Sequence, residues 1–546
     1  MANQNKRRRF AVLMLSLTVI CSGMLSACSS NSDKSNSAGD TKAGTENTAK
    51  GDNTAKGDPA ILKVEVFDRG NSPSGSSVTN NFMTNWVQDN FGKPNNIDVQ
   101  YVPVPRSEEI QKLNVLMASG GDVPDIVFTY DEATFNRYAL QGGLTDLAPL
   151  LDQYAPNLKK FLGDDTLSFG QIEGKQFAVS AKRVDLGKYA SYIRQDWLDK
   201  LGLPVPKTTD ELYQTLQAFK TKDPGQTGGK TIPLGMTIAP AQIDPLIWSF
   251  IKPLTEEQRY TLTQKLGSND FPTLLPGFKD ALKFMNKLYN EGLISKDFSL
   301  DQDKKQLNQD ITTGKVGFFS EDIPGVYAAD SIYATLQKNV KGSVITPVDV
   351  YSDETGHHPK PGYAPIGLYL MIPKSSEHAV EALKYLDWMA SDKNLFTMQN
   401  GFEGEHYTLK DGVPMAIENQ SETAKAKVYN SGDMAIISNG KQLGDPVKNH
   451  EATVLGLAPA YQNDARTMIK QAETDMIMPI HFNKPIQSES KYGTALEDKY
   501  KEFIVKTAVV KPDKFDSTFD SIMKDYMSSG GQAILDERTA AYKAQK

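Results

Sequence analysis

From Ile61 to Phe128 the apolar residues change from a strand-like to a helical period and back twice, and this alternation narrows the fold more than any other feature. Ile61-Leu62-Lys63-Val64-Glu65-Val66-Phe67 is β-branched and partly alternating, which reads as a strand. Phe82, Trp86 and Val87 then share one helical stripe, which Gly92 and Pro94 stop. Ile97 to Val102 reads as a second strand ending at Pro103, and Glu108 to Met117 as a helix burying Ile110, Leu113 and Met117. Asp125-Ile126-Val127-Phe128 is the third strand. Strands alternating with helices at these spacings call for a parallel sheet with right-handed crossovers.

Further along, Thr208 and Glu211 have the spacing of a capping box, opening a helix whose Leu212, Leu216 and Phe219 share a face. Phe278, Leu282, Met285 and Tyr289 make another stripe, ended by Gly292. A third helix, about 377–390, carries Val380, Leu383 and Trp388. Trp86, Trp197 and Trp388 fit helical stripes and are read as core.

The N-terminus has the form of an export signal. Lys6-Arg7-Arg8-Arg9 precedes an apolar run from Phe10 to about Ile20, too short to remain as a membrane span. Removing residues 1–27 would take away four positive charges and no negative ones, so the balance moves from −7 to −11. The only cysteines are Cys21 and Cys28, so the processed chain would have a single thiol and no disulfide; a chain this long can be held by its core alone. Residues 29–59 are almost devoid of apolar side chains, and Asn47-Thr48-Ala49-Lys50-Gly51-Asp52 repeats at once as Asn53 to Asp58. Such a segment reads as a flexible tether with an end-to-end distance of roughly 30 Å. Nucleic acid is excluded as a partner, because phosphate binding needs a concentrated basic surface and the one basic run lies in the leader.

Several segments resemble a known family. Leu25-Ser26-Ala27-Cys28 is similar to the lipobox of bacterial lipoproteins, in which the Cys28 thiol would carry diacylglycerol. Leu116 to Val127, Gly142-Gly143-Leu144-Thr145-Asp146-Leu147, and Ile193 to Leu203 with Pro206-Lys207-Thr208 resemble elements of family 1 extracellular solute-binding proteins of ABC importers. Leu288 to Leu293, Thr313 to Gly317 and Gly401 to Tyr407 continue the resemblance in the same order, most like the long Gram-positive lipoproteins of the LplA/LipO-like subgroup.

That resemblance implies an α/β, two-lobed periplasmic-binding-protein-like (type II) fold with a hinge and a helix-rich C-terminal part. The expected division is residues 1–27 as signal, 28–59 as acylated Cys28 and tether, and 60–182 as a first lobe with a return near 316–370. The second lobe would take 183–315 and about 371–546. It also implies a monomeric, non-enzymatic protein, lipid-anchored on the outer face of the cell membrane. Its lobes would close on an oligosaccharide and present it to two permease subunits and an ATPase. A sugar-sensing accessory of a membrane kinase shares this fold and is the alternative role.

A sugar site needs planar donors and acceptors with aromatic platforms where the lobes meet. Tyr130 and Asp131 follow the third strand, at the edge where open α/β sheets bind ligands. Trp248 and Tyr363 are candidate stacking surfaces, and Arg194, with Asp196, is a candidate cleft group or else a structural pair. Glu403 and His406 sit in a distinctive loop that either touches ligand or fixes backbone. His357 and His358 fall in a polar stretch, 355–361, expected at the surface.

No cofactor or metal is expected. Many relatives carry a calcium loop after the capped helix, but this chain reads Asp223-Pro224-Gly225-Gln226-Thr227-Gly228-Gly229-Lys230, with one carboxylate where calcium wants several. A surface glycoside hydrolase would need only two carboxylates. No HExxH, G-x-S-x-G, P-loop or spaced Cys/His set supports an enzyme.

Overall fold

The alternating segment at 60–68 forms strand β1 (Ala60–Asp68), which buries Leu62, Val64 and Val66 on one face and Phe67 on the other, while Ile61 stays exposed. The computed structural model describes residues 57–118, 123–267, 269–323, 325–328, 331–350, 356–482 and 484–546; Cys28, the leader and the tether as far as residue 56 lie outside them. The chain continues through β2 (Ile97–Pro105), β3 (Val127–Thr129) and β4 (Ala178–Arg183). It then crosses into β5 (Tyr189–Arg194), β6 (Ile232–Gly235), a hairpin of β7 (Gln264–Leu266) with β8 (Asn269–Phe271), β9 (Val316–Asp322) and β10 (Ile345–Val348). It returns as β11 (Ile366–Met371) and β12 (Ser438–Asn439).

Two main sheets result among the described residues, one per lobe. In the first, β2 pairs parallel with β1, and β1 joins β3 through a parallel bridge between Val64 and Ile126. The chain's return strand β11 lies antiparallel between β3 and β4, and β12 pairs parallel with β4. The expected parallel sheet is therefore present as β2, β1 and β3, with β11 inserted against its direction. Pro103 does not end β2, which runs on to Pro105; β2 pairs only with β1, and an edge strand has ladder positions where a missing N–H costs nothing. In the second sheet the order is β10, β5, β9, β6, with β9 antiparallel to β5 and parallel to β6.

This pairing corrects the expected division of the chain. Residues 316–322 and 345–348 complete the second-lobe sheet, so the first lobe does not resume at 316. It resumes after residue 360, and helix Ala379–Met389 packs Ala382, Leu383, Tyr385, Leu386 and Met389 into the first-lobe core with Leu62, Val64 and Phe128. Residues 428–437 share that core, so the stretch from 371 to about 440 belongs to the first lobe. The long helix Gln487–Val509 and the helices Phe515–Tyr526 and Gln532–Gln545 close over the second-lobe core instead, placing Tyr500, Phe503, Phe519 and Ile534 against Phe278, Leu282 and Met285.

Local predictions fare better. Helix Thr209–Lys222 opens on the Thr208–Glu211 capping box and buries Leu212, Leu216 and Phe219 completely. Gly292, at φ +65°, ends helix Phe278–Asn290 as expected. Helix Glu109–Ala118 buries Leu113, but Ile110 is 39% exposed.

Two chain crossings lie side by side at the hinge. Gly187 bridges Gly362 in an antiparallel sense, and Tyr363 N–H donates to Leu186 carbonyl at 2.8 Å. Pro361 also pairs with Ile477 as the chain passes from helix Gln462–Glu473 toward the C-terminal helices.

Candidate functional site

Strands β1, β3, β4 and β12 run the same way and deliver their C-termini to one edge of the first-lobe sheet, where open α/β sheets take ligands. Phe67, Tyr130, Arg183 and Asn439 stand at those ends. Opposite them the second lobe contributes Lys188 and Tyr189, at the start of β5, and Lys265 and Asn269 from the β7–β8 hairpin. Between the two edges lies a cavity of about 430 Å³, floored by the hinge residue Tyr363. A second compartment of about 450 Å³ adjoins it, lined by first-lobe residues alone and sharing Tyr130 and Asn439 with the first.

Tyr130 is fixed from several sides. Its N–H donates to Glu109 at 2.7 Å, its hydroxyl accepts from Asn439 Nδ2 at 3.0 Å, and its ring stacks on Phe67 with centroids 6.2 Å apart. The Arg106 guanidinium sits 4.7 Å from the same ring and donates to Glu109 at 2.6 Å. Burial pushes the Tyr130 phenol above its ordinary pKa, against the pull of Arg106 and Arg183, so it stays an O–H donor. Arg183 stacks on Tyr363 at 4.1 Å and donates to the Ile366 carbonyl at 3.0 Å and to Asn439 Oδ1 at 3.3 Å. Across the cleft Lys265 pairs with Glu132, linking the β7–β8 hairpin to helix Glu132–Leu140 of the first lobe.

Of the residues singled out in the sequence, Tyr130 and Tyr363 line this cleft, and the others serve elsewhere. Asp131 is the N-cap of helix Glu132–Leu140, accepting from Thr134 N–H at 2.9 Å, so its carboxylate is committed to the backbone. Trp248 was expected as a platform; at 1% exposure it is enclosed in the second-lobe core beside Ile247 and Leu246 and presents no face to the cleft. Arg194, 2% exposed, forms a two-pronged pair with Asp196 at 2.7 and 2.8 Å, and Asp196 accepts from Val344 N–H at the entry to β10. His406, 4% exposed, accepts from Phe402 N–H through Nδ1 and holds the Ala424 carbonyl through Nε2 at 2.9 Å, fastening its loop. Glu403, in the same loop, is exposed, and neither residue lines either compartment. His358 is buried rather than at the surface: it pairs with Asp349 and touches the Pro245 carbonyl at 3.0 Å, with Lys360 on the other Asp349 oxygen at 2.8 Å.

Arg183, Lys188, Lys265, Arg106 and Asn439 were missed. Arg183 could have been found by the argument that found Tyr130, since both follow strands of one sheet. Asn439 carries no such signal, because β12 is only two residues long.

The loop at 223–231 is closed by its own donors. The Asp223 carboxylate accepts from Thr227 N–H at 2.9 Å, from Gly228 and Gly229 N–H, and from the hydroxyls of Thr227 and Thr231 at 2.8 and 2.6 Å. Those bonds hold its carboxyl well below the usual range. Among the described residues no group of three or more His, Cys, Asp or Glu side chains could hold a metal ion, and no helix is long and apolar enough to cross a membrane.

Residues 74–395 match the family model for bacterial extracellular solute-binding proteins. The chain belongs to that family. Lipoprotein LipO of Bacillus subtilis is 27% identical over 470 residues, covering 82% of this chain and 87% of LipO. The polygalacturonan/rhamnogalacturonan-binding protein YtcQ of the same organism is 25% identical over 464 residues, 82% of this chain and 86% of YtcQ. The crystallised Streptococcus pneumoniae ABC-transporter substrate-binding protein FusA, in complex with kestose, superposes with a TM-score of 0.62 over 89% of this chain and 100% of its own at 17% identity, a likeness of fold. The family fold is the two-lobed one seen here.

Proposed function

We propose that this solute-binding protein captures an oligosaccharide between its lobes and passes it unaltered to the permease of an ABC importer, tethered through acylated Cys28 to the outer face of the membrane. The observation that carries the reading is the interlobe cavity, where aromatic rings, the carboxamides of Asn269 and Asn439, and cationic donors from both lobes converge on one space. Sugars offer hydroxyls for such donors and flat C–H faces for rings such as Tyr130 and Tyr363. Relatives named for polygalacturonan/rhamnogalacturonan, or crystallised with kestose, support carbohydrate as the class. A ligand touching both lobes binds the closed arrangement better than the open one, and that difference drives closure. No chemistry is assigned to the site: its one lining carboxylate, Glu132, is taken by Lys265.

Thermal shift and tryptophan fluorescence against an oligosaccharide panel test the reading, because a ligand that binds only the native state raises its melting temperature. A stabilising glycan recovered intact is the expected result. A cleaved glycan, or no response to any member, would overturn it. Release of the C28S variant from membranes is the expected result for the anchor.

A further inference from the structure

An acidic chain has placed its cleft charges against its overall balance. Among the described residues the interlobe compartment is lined by Arg106, Arg183, Lys188 and Lys265 but by a single carboxylate, Glu132. Arg106 is answered by Glu109 and Lys265 by Glu132. Arg183 and Lys188 are not: among the described residues neither has a carboxylate within salt-bridge distance. Lys188 is 2% exposed, and among the described residues its ammonium has one protein acceptor, Asn269 Oδ1 at 3.1 Å, for three N–H donors. Arg183 spends Nε and Nη1 on Ile366 and Asn439, and Nη2 has no protein acceptor among the described residues.

The two cations flank one ring. Arg183 lies 4.1 Å and Lys188 5.1 Å from the Tyr363 centroid, and they stand at the two ends of the hinge crossing 183–188, one belonging to each lobe. Removing unanswered charge from water is costly unless a partner restores the lost solvation. Burial depresses the Lys188 pKa, and Asp270 and Asp244 oppose that from farther away without touching the ammonium. A neutral sugar could use the free N–H donors but would bring no counter-charge to either cation, and the carboxylates that act on them, Asp185 on Arg183 and Asp270 and Asp244 on Lys188, make no ion pair with them.

We propose that the ligand is an acidic oligosaccharide, one of whose uronate carboxylates seats on the hinge floor between Arg183 and Lys188. This rests on the oligosaccharide reading and adds the ligand's charge and the residues that read it. A carboxylate there would bridge the lobes, so the charged group that gives specificity would also favour closure.

The test is calorimetric titration of the full chain with oligomers of galacturonate, glucuronate and mannuronate, each beside its carboxyl-methylated form and beside neutral oligosaccharides of equal length. The expected result is that one free-acid oligomer binds at least tenfold more tightly than its methyl ester, with affinity falling as salt rises. R183Q and K188M, checked for an unchanged melting temperature, should each bring the ratio of free-acid to ester affinity close to one, whatever they do to the ester's own affinity. Equal affinity for acid and ester, or tight binding of neutral oligosaccharides alone, would overturn this proposal and leave the oligosaccharide reading intact. Silence from every saccharide, charged or neutral, would overturn both. If a variant fails to fold, the acid-versus-ester comparison on the unsubstituted protein still decides.

Discussion

At the level of single side chains, burial separates residues that hold the fold from those that meet a ligand. Trp248 and Tyr130 were both candidate platforms in the sequence, Tyr130 the better placed because it follows a strand of the sheet. Enclosure of Trp248 among Leu246, Ile247 and Phe278 assigns it to stability. W248A is therefore expected to cost about 3–5 kcal/mol of stability, measured by denaturant unfolding. Y130A should instead weaken glycan binding by about 1 kcal/mol or more, seen by titration, with a smaller loss of stability than W248A because Tyr130 only borders the first-lobe core. Glu65 gives a pH signature that the sequence could not reveal. In the middle of β1 it is fully buried, and burial raises its carboxyl from 4.5 to about 8, although Phe128 N–H donates to it. The folded state thus holds a proton that the unfolded chain releases near pH 4.5, so this group makes stability fall from about pH 4.5 to about pH 8. E65Q, neutral and nearly isosteric, should flatten that fall; an unchanged slope of melting temperature against pH would contradict it.

At the level of helices and strands, whatever depended on neighbours in sequence was legible. The Thr208–Glu211 box, the Gly292 terminator and the Leu212–Leu216–Phe219 stripe are fixed within a few residues by capping geometry and helical period. What depended on distant partners was not. Val316 to Asp322 was expected to open a return to the first lobe, but its pairing with β5 and β6 puts it in the second-lobe sheet. The bend between the last two helices is similarly silent in sequence. Gly530 adopts φ +134°, and a Cβ there would lie 2.5 Å from Tyr492 Cγ. G530A is expected to lower stability by about 1–3 kcal/mol, because both the backbone region and the packing refuse a side chain. Chemical denaturation with ligand-free protein measures it.

At the level of the whole molecule, the motif order pointed to two lobes and a hinge, while the lobe boundaries were misplaced because the chain returns to the first lobe after residue 360 and leaves it again near residue 440. The Glu132–Lys265 pair joins the lobes across the mouth of the cleft. Replacing both partners, as E132Q with K265M, avoids stranding one charge and should favour separation of the lobes. A larger radius of gyration by small-angle scattering without ligand, together with weaker glycan affinity, is the expected outcome. The two compartments differ in one respect that bears on ligand size. The one holding Arg69 and Asp433 has walls from one lobe only, so a closure that buries the interlobe cavity need not enclose it. A polymer gripped at the floor can trail outward along this open gallery, and lengthening the glycan should bring affinity to a plateau instead of a sharp cutoff.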